Sequence, residues 1–542
     1  MQEKEFNLLE EPWIRVLAAD LSVKEVNLVD ALVHAQEYKA LAGEMPTQDV
    51  AMLRLLIACA ETVFYRYDAE GEEVGISSQD SDYNSVMERW EAYWKKGKLP
   101  EAAVRGYLKK YEDRFWLFHP ETPFFQVADL AYGTDYGTQS LYGNLKSSNN
   151  KKTKYHFSMN DGSEIQSMSY PEAARWLLNL NAFSVNMKVA KQDPSGPKSA
   201  AGVGRLGRLG LIYVDGQSLF ELIMLNLTPL NGEEVWEDPR PIWEQPVRTA
   251  QSVQIVSPDN LPELYTLQSR RIMLKRENGR VTGFRAMNGD FFSYEDAFTE
   301  QMTLWKKNED KKTGHTSYLP KQHSAQIQAW REFPTVFDAR KMPHLPGVVN
   351  WIKEVTNRGL ALKNTLVTFH TVGMVYGDGM SYTYGDCISD SITLSSELLK
   401  GFSGQWITRI TEEIEKCKSV TDTAIRPFGQ MVGQVLNEDN SRAIQDQLSA
   451  NYYSLIDQPF RDWLKSIKLN EDQKDTEMDQ WGRQSYYYAR QVIEEFLETQ
   501  TSNFYKSRET KSKIRSIPQA YSWFLWKLGT LYPNVNKNPG KE

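Results

Sequence analysis

The 542-residue chain has little cysteine and no long apolar run, and each shortage excludes a class of protein. Its three cysteines, Cys59, Cys387 and Cys417, are far apart and odd in number, which argues against a disulfide framework and favours a reducing compartment. No stretch approaches the roughly 18 consecutive apolar residues of a membrane-spanning helix. The first residues, MQEKEFNLLEEPWIRV, lack the basic and then apolar pattern of a secretory signal. We therefore expect a soluble, cytoplasmic protein with no membrane partner.

The sequence also lacks the short motifs that mark most catalytic and metal centres. It has no H-E-x-x-H, no G-x-x-x-x-G-K-[ST] and no G-x-S-x-G, and its seven histidines are scattered without ligand spacing. The cysteines form no pair that could hold zinc. We expect a protein with no catalytic centre of its own, no metal and no cofactor, although catalytic residues can be distant in sequence.

The net charge is negative, but basic residues cluster locally. A net charge of −8 argues against a general coat for nucleic acid. Three loop-like stretches, at residues 146–154, 188–208 and 270–280, are nevertheless rich in lysine and arginine. Each could be a solvated loop, but three of them in one acidic chain also suit local contacts with phosphate.

Local patterns predict an α+β fold in two domains. Residues 1–390 form a large mixed domain, in which EPWIRVL and FFQVADL are expected to be extended, VAMLRLLIACAETVF a buried helix, and PEAARWLLNL a helix with proline at its favoured start. LGLIYVDG fits a strand, whereas LFELIMLNL is ambiguous. Residues 391–542 show four apolar stripes at helical spacing, which predict a C-terminal four-helix bundle. The stripes start at Leu394, Ile444, Trp481 and Tyr521, and Pro459 is expected to kink or break the second helix.

The strongest local signal is a hairpin in RRIMLKRENGRVTGFRAM. Asn278 and Gly279 stand between two strand-like arms. Asn-Gly is the pair that best tolerates the positive φ angles of a two-residue turn. The sequence therefore predicts an antiparallel hairpin over residues 270–286.

The stretch GVGRLGRLG, residues 202–210, satisfies the G-x-G-x-x-G spacing of a dinucleotide-binding loop. That fingerprint requires a strand before the glycines and a helix after them. Here KQDPSGPKSAA before them is loop-like and LGLIYVDG after them is strand-like, so both flanks disfavour a cofactor. A loop rich in glycine and cations can also approach phosphates closely, or can serve as a flexible connector. Both interpretations remain open, and a nucleotide-cofactor-dependent enzyme stays as the alternative function.

Several motifs follow one another in a distinctive order. NLLEEPWIRV, MPTQDVAMLRLLIACAETVF and HPETPFFQV precede the glycine loop, which is followed by LFELIMLNLTPL, PRPIWEQP and the helical pattern of the bundle. This order resembles the large subunit of the type I-E CRISPR surveillance complex Cascade, the CasA family. The likeness covers the whole chain, and it rests on the order of the motifs because no single motif is specific.

The resemblance implies a non-catalytic subunit at one end of a CRISPR RNA–protein assembly. Such a subunit would recognise a short protospacer-adjacent motif (PAM) in double-stranded DNA from the minor groove, start strand separation, and help to recruit a separate helicase–nuclease for antiviral defence. Base pairing with the guide RNA would read the target itself, which leaves the protein a short motif to read. The implied partners are the CRISPR RNA-bound Cascade subunits, the double-stranded target and the helicase–nuclease.

By this resemblance, two basic elements would contact DNA. The glycine loop, residues 195–202, would read the motif, and Arg205 and Arg208 would contact phosphates. A basic residue of the hairpin would enter the minor groove, and the absence of a cysteine pair there implies no zinc. The candidates are Gly196, Lys198, Ser199, Ala200, Arg205 and Arg208 near the loop, and Lys275, Arg276, Asn278 and Arg280 in the hairpin.

Two further segments match the family by position. YGDGMSYTYG, residues 376–385, would insert beside the motif as a wedge, with Gly379, Met380 and Ser381 at its tip. Proteins that unstack DNA insert apolar side chains such as methionine, although a glycine-rich surface turn is the alternative here. KTKYHFSMNDG carries Lys154 and Phe157, which would contact the complex near the RNA 5′ end or anchor the segment locally.

Overall fold

The structure, a computed structural model, describes most of the chain. The described residues are 4–79, 81–131, 133–142, 166–185, 202–250, 255–380, 383–401, 404–436, 441–469, 474–507, 514 and 516–535. They form two compact units. Unit 1 consists of Met1–Ile327, Met342–Glu354 and Thr368–Ser391, and unit 2 of Gln328–Lys341, Val355–Val367 and Ile392–Glu542. Unit 2 therefore takes in two segments that precede residue 390, where the sequence placed a boundary, and the division into residues 1–390 and 391–542 stays a prediction.

Helices and strands alternate irregularly along the chain. The helices are α1 Leu28–Val33, α2 Pro46–Arg66, α3 Tyr83–Lys96, α4 Glu101–Lys110, α5 Thr138–Leu141, α6 Tyr170–Phe183, α7 Leu219–Asn226, α8 Leu261–Tyr265, α9 Phe333–Phe337, α10 Gly347–Asn357, α11 Gly404–Val420, α12 Arg426–Leu436, α13 Ser441–Ser466, α14 Lys474–Glu498 and α15 Ile517–Leu531. The strands are β1 Glu5–Asn7, β2 Ile14–Ala18, β3 Val23–Val26, β4 Tyr38–Leu41, β5 Trp116–Phe118, β6 Thr134–Gly137, β7 Leu211–Val214, β8 Leu230–Asn231, β9 Glu234–Val235, β10 Ile255–Val256, β11 Arg270–Glu277, β12 Arg280–Asn288, β13 Phe291–Phe292, β14 Trp305–Glu309, β15 Thr316–Pro320, β16 Leu366–Tyr376 and β17 Thr383–Ser395.

Small sheets, rather than one large sheet, carry the elements of interest. The three-stranded sheets have the orders β3-β2-β4, β11-β12-β6 and β17-β16-β7. Strands β11 and β12 form the hairpin, with a register shift between Lys275 and Arg276. Strand β16 pairs antiparallel with β7, with Phe369 opposite Val214. Because β7 follows the glycine stretch and β16 leads to the predicted wedge, this pairing holds the two elements side by side.

Most local predictions for the mixed domain are confirmed. EPWIRVL overlaps β2, the buried helix is α2, and PEAARWLLNL lies in α6, whose N-cap Ser169 accepts a hydrogen bond from the Glu172 N–H. The ambiguous LFELIMLNL is helix α7, which Ser218 caps in the same way. The proline at the start of α6 was therefore readable from the sequence, whereas the two capping serines emerge from the structure.

The expectation for FFQVADL is wrong. This stretch consists of turns and irregular backbone, and Phe125 has a φ of 51°. The side chain of Gln126 donates to the carbonyl of Leu117 at 2.6 Å and accepts from the N–H of Leu274 at 2.8 Å. The buried Gln126 side chain thus makes hydrogen bonds to backbone groups that the backbone of a neighbouring strand would otherwise make.

Unit 2 contains the C-terminal helical bundle, and the α+β class is confirmed. Helices α11 and α12 are continuous through a π-helical turn, Thr421–Ile425, and are followed by α13, α14 and α15. Helix α12 packs against α13 and α15, and α11 packs against α14. The first predicted helix starts too early, because Leu394 lies in β17 and Leu398 in a 3-10 turn. Helix α13 continues through Pro459.

Aromatic side chains form the core of the bundle. Trp330 stacks on Phe460 with ring centroids 4.2 Å apart, and its indole N–H donates to Asp457 at 2.8 Å. Trp463 and Trp481 stack on each other at 5.4 Å. The aromatic stripes are therefore packing surfaces, as the sequence predicted. In the described residues, no helix combines the length and the apolar composition that a membrane span requires.

Candidate nucleic-acid interface

Some of the predicted contact residues lie outside the described residues. They are Gly196, Lys198, Ser199 and Ala200 of the glycine loop, Ser381 of the wedge, and Lys154 and Phe157. The residues that flank the glycine loop and the wedge are described, and they define how each element is anchored.

The two ends of the glycine loop meet at one point. The backbone N–H of Gly204 donates to the carbonyl oxygen of Ser184 at 2.8 Å. The Arg270 guanidinium donates to the carbonyl oxygens of Val185, at 3.3 Å, and of Gly202. Val185 and Gly202 are the described residues on either side of residues 186–201, which include most of the glycine loop, so a single side chain ties these two flanks together. Arg270 is also the first residue of the hairpin strand β11.

Packing explains why glycine recurs in GVGRLGRLG. A Cβ at Gly204 would lie 2.5 Å from the carbonyl oxygen of Ala182, and a Cβ at Gly207 would collide with the hydroxyl of Tyr376. Side chains are excluded at both positions because α6 and β16 approach the backbone closely. The glycines therefore serve contacts within the protein.

The geometry after the glycines differs from that of a dinucleotide site. The chain forms a 3-10 turn, Arg205–Arg208, and then enters β7. A dinucleotide loop instead opens a helix, whose N-terminus binds the pyrophosphate. Together with the packing of the glycines, this removes the observation on which the enzyme alternative rested. Among the described residues, no group of three His, Cys, Asp or Glu side chains is placed to hold a metal ion.

Arg205 does not offer its side chain to a phosphate. It is 5% exposed, and its guanidinium lies 2.8 Å from Oε2 of Glu300. Arg54 donates two hydrogen bonds, of 2.9 and 2.8 Å, to the same carboxylate. Burial alone would raise the pKa of the Glu300 carboxyl, but the charges of Arg54 and Arg205 lower it to about 2. Arg205 is therefore part of a buried ion cluster, which corrects the role expected from the sequence.

Arg208, in contrast, keeps part of its side chain at the surface. It is half-buried, and its guanidinium lies 5.7 Å from the ring centroid of Tyr294. It forms no ion pair within the part of the chain that the structure describes. A phosphate contact at Arg208 is compatible with this geometry and stays a prediction.

The predicted hairpin is confirmed, and its turn lies at an exposed tip. Asn278 and Gly279 have φ angles of 51° and 72°, the positive values that an Asn-Gly turn requires. Arg280, beside them, is exposed and donates to the hydroxyl of Ser167 at 2.8 Å. No carboxylate of the described residues pairs with Arg280, so its charge faces solvent.

Lys275 is paired on the strand that leads to the tip. Its ammonium lies 2.9 Å from Oδ1 of Asp135, which also accepts a hydrogen bond of 2.8 Å from Arg285. The hydrogen bonds from Arg285 and Lys275 hold the pKa of the Asp135 carboxyl well below its usual range. Because both partners are exposed to solvent, this pair is weak and can be exchanged for a phosphate.

Arg276 is held more firmly than Lys275. It pairs with Glu5 and lies 4.4 Å above the ring centroid of Phe118. Its side chain is 25% exposed, against 40% for Lys275. Of these two hairpin cations, Lys275 is therefore the more available to a ligand.

The predicted wedge turn has a left-handed backbone. The N–H of Met380 donates to the carbonyl of Gly377 at 2.9 Å, and Gly379 and Met380 have φ angles of 62° and 55°. A positive φ costs a residue with a Cβ about 1–2 kcal/mol, and methionine is not among the residues that adopt it readily. Leu21 and Leu362 also have positive φ angles, so the angle alone assigns no role, and the wedge at Met380 stays a prediction.

The wedge, the glycine loop and the hairpin start from one junction. The hydroxyl of Tyr376, at the end of β16, donates to the carbonyl of Phe183 at 2.8 Å, where α6 ends. We define the junction as Phe183–Val185, Gly202–Arg208, Arg270 and Tyr376. The structure thus brings together the bases of three elements that the sequence treats as separate motifs.

Sequence reasoning missed the contacts that build this junction and the ion cluster beside it. Arg270 was noticed as part of a basic stretch and Tyr376 as the first residue of the wedge segment, whereas Arg54 and Glu300 carried no local signal. Arg54 and Glu300 are separated by 246 residues, and Tyr376 and Phe183 by 193. Only the fold brings such partners together.

The fold is that of CRISPR-associated proteins. The crystal structure of Thermobifida fusca Cse1 matches with a TM-score of 0.80 at 24% identity, over 98% of this chain and 99% of that one. A chain of a CRISPR RNA-guided surveillance complex matches with a TM-score of 0.70 at 15% identity, over 97% of this chain and all of that one. At these identities the likeness establishes the fold.

Sequence comparison identifies the family. A profile of the CRISPR-associated protein Cse1 family matches residues 7–492. CasA/Cse1 of Thermus thermophilus is 33% identical over 243 residues, which make up 45% of this chain and 43% of that relative, so the match spans less than half of its length. The chain belongs to the CRISPR-associated protein Cse1 family, which confirms the resemblance seen in the order of its motifs.

Proposed function

We propose that this chain is the non-catalytic large subunit of a type I-E CRISPR RNA-guided surveillance complex. It recognises a PAM in double-stranded DNA from the minor groove, starts strand separation there, and helps to recruit the helicase–nuclease that completes antiviral defence. Family membership supports assembly with CRISPR RNA-bound subunits, and a chain of the same fold occurs in a CRISPR RNA-guided surveillance complex. A cytoplasmic location follows from this role.

The junction is the observation that carries the DNA-reading role. Three elements that start from one place can contact one short stretch of duplex together, which a scattered arrangement could not do. In this proposal Gly196, Lys198, Ser199 and Ala200 approach the minor groove, and Arg208 binds a backbone phosphate. A small set of base contacts is sufficient, because pairing with the guide RNA reads the rest of the target.

The hairpin and a second segment supply the remaining contacts. Arg280, at the exposed tip beside Asn278, and Lys275 are the hairpin cations that reach DNA most easily. Arg276 contributes only if it leaves Glu5. Lys154 and Phe157 contact the complex near the RNA 5′ end.

Co-purification tests the assignment against the enzyme alternative. The proposed subunit assembles with CRISPR RNA and its partner proteins. An enzyme built around GVGRLG would instead retain a nucleotide in the isolated chain. Recovery of the isolated chain with a stoichiometric nucleotide, and without affinity for the other subunits, would overturn the proposal.

We expect Met380→Gly and Met380→Asn to slow opening of a linear duplex target about tenfold and to leave initial capture within about twofold. Unstacking a base step costs a few kcal/mol, and an apolar wedge offsets part of it; tenfold corresponds to about 1.4 kcal/mol. Glycine and asparagine both accept the left-handed φ, so the turn is preserved while the apolar side chain is lost. A fluorescent base analogue beside the motif reports opening in the assembled complex.

Two controls make this experiment specific to the wedge. Met380→Leu keeps an apolar side chain and should open the duplex at close to the wild-type rate. A target melted in advance beside the motif should restore normal kinetics to the glycine and asparagine variants. Wild-type opening of the linear duplex by both variants would remove Met380 from the mechanism.

A further inference from the structure

Around the junction, arginine side chains outnumber the carboxylates that pair with them. Arg54, Arg205 and Arg270 are each at most 5% exposed, and the half-buried Arg208 lies beside the same cavity as Arg205 and Arg270. The Glu300 carboxylate pairs with two of them, Arg54 and Arg205. A buried cation without a counter-ion is costly, because its desolvation is not offset by pairing. Excess arginine beside an opening to solvent therefore favours an anion from outside.

Arg270 is the least compensated of these side chains. Its guanidinium donates to the carbonyl oxygens of Ser269, Val185 and Gly202. Its buried Nε–H has no hydrogen-bond partner among the described residues. Burial lowers the pKa of Arg270 to about 10, so the group is charged at neutral pH. Carbonyl dipoles solvate this charge without neutralising it.

Arg270 is one of the residues that line a small opening. Arg208 and Tyr294 also line it, and its open volume is about 20 Å³. A space of that size holds about one water-sized group, so it admits a phosphate oxygen and excludes a base or a sugar. Asp290 also lines the opening, but its carboxylate lies 2.6 Å from the guanidinium of Arg271 and is neutralised there.

We propose that Arg208 and Arg270 form a pocket for one phosphate group of a nucleic-acid backbone at the base of the glycine loop. The inference rests on the proposed function, since a duplex held by the glycine loop brings its phosphates close to the residues that flank the loop. One phosphate oxygen that enters the opening would lie beside both guanidinium groups, and hydrogen bonds between charged groups of this kind are stronger than neutral ones. The pocket contacts no base, so it contributes affinity without sequence preference.

The pocket also couples phosphate binding to the loop. The Arg270 guanidinium holds Val185 and Gly202, which flank residues 186–201 and with them most of the glycine loop. A phosphate on Arg270 and the ends of the loop therefore share one side chain.

Inorganic phosphate tests the pocket in the full-length chain. At constant ionic strength, replacing chloride by phosphate will raise the Tm of the wild-type chain by about 1–2 °C, and Arg208→Gln will abolish this rise. As a matched control, Arg442→Gln removes the same charge from a side chain that is 86% exposed in unit 2, and it will keep the rise. A wild-type chain without the rise, or an equal rise in Arg208→Gln, would overturn the pocket.

Duplex DNA distinguishes a backbone phosphate from free phosphate. In the assembled complex, Arg208→Gln will weaken capture about tenfold, equally for duplexes with and without the motif, and will flatten the slope of log affinity against log salt by about 0.9. An unchanged slope, combined with a lost phosphate response, would show that the pocket takes free phosphate and that the backbone ligand is wrong. If the wild-type complex captures no duplex, both the proposed function and the backbone ligand are refuted. The pocket itself is tested separately, because the response of the isolated chain to inorganic phosphate would persist in that case.

Discussion

Replacing Glu300 by glutamine will lower the free energy of unfolding by about 3–5 kcal/mol. The Glu300 carboxylate is buried between the guanidinium groups of Arg54 and Arg205, so an amide leaves two buried cations without a counter-ion. Domains are typically stable by about 5–15 kcal/mol, so this loss is a large fraction of the total. Because Arg205 also belongs to the junction, we expect the substitution to destabilise the base of the glycine loop.

Denaturant unfolding at neutral pH measures this loss. Glu309→Gln is the matched control, because it removes an exposed carboxylate that pairs with Lys307, and it should leave the unfolding midpoint almost unchanged. Equal midpoints for Glu300→Gln and the wild-type chain would contradict the account of the ion cluster.

Glu300→Gln should also make the stability of the folded chain less dependent on pH in the acid range. The pKa of the Glu300 carboxyl is about 2 in the folded chain, below its ordinary value of 4.5. Its contribution to stability is therefore complete above about pH 4.5 and is lost as the pH falls toward 2. The wild-type midpoint should fall more steeply across this range than that of Glu300→Gln.

Replacing Lys275 and Arg280 together by glutamine will weaken capture of a motif-bearing duplex about 10- to 100-fold near 0.15 M salt. Arg280 lies at the exposed hairpin tip and pairs with no carboxylate of the described residues. Lys275 can exchange Asp135 for a phosphate, because that ion pair is open to solvent. Each lost phosphate contact lowers the salt slope by about 0.9. Binding titrations over a range of salt concentrations give both quantities.

A matched double variant separates local contacts from net charge. Lys95→Gln with Arg105→Gln removes the same two charges from α3 and α4, where each cation pairs with a glutamate four residues earlier. We expect this variant to bind duplex with the wild-type affinity and salt slope. If it weakens capture as much as the hairpin variant does, the hairpin has no specific role.

Structure that depends on a few consecutive residues could be predicted from the sequence. The hairpin follows from Asn278 and Gly279, whose positive φ angles set the turn by themselves. The start of α6 follows from Pro171, which occupies the first turn of the helix. Neither feature needs a distant partner, which is why both predictions are confirmed.

Roles that depend on distant partners could not be predicted. Arg205 has the composition and setting of a phosphate contact, and only the approach of Glu300, 95 residues away, makes it an ion-cluster residue. The glycines of GVGRLGRLG fit a dinucleotide spacing, yet contacts with Ala182 and Tyr376 explain the two tested above. In both cases the local sequence pattern suggested a ligand contact, whereas the structure explains the residues by contacts with distant parts of the chain.

The first bundle helix shows how periodicity can mislead. Leu394, Leu398 and Phe402 are spaced by four residues, and positions four apart share a face in a strand as well as in a helix. Leu394 lies in β17, and α11 begins only at Gly404. Spacing by four alone could not distinguish the two structures.

The central claim is that this chain adds duplex recognition and opening to a complex that pairs guide RNA with DNA. The most direct measurement compares the reconstituted complex with and without the chain on duplex targets whose flanking positions are randomised. With the chain, we expect opening of those duplexes that carry one short motif beside the target; without it, we expect binding to single-stranded target alone. Opening that ignores the flanking sequence, or that proceeds equally well without the chain, would contradict the account.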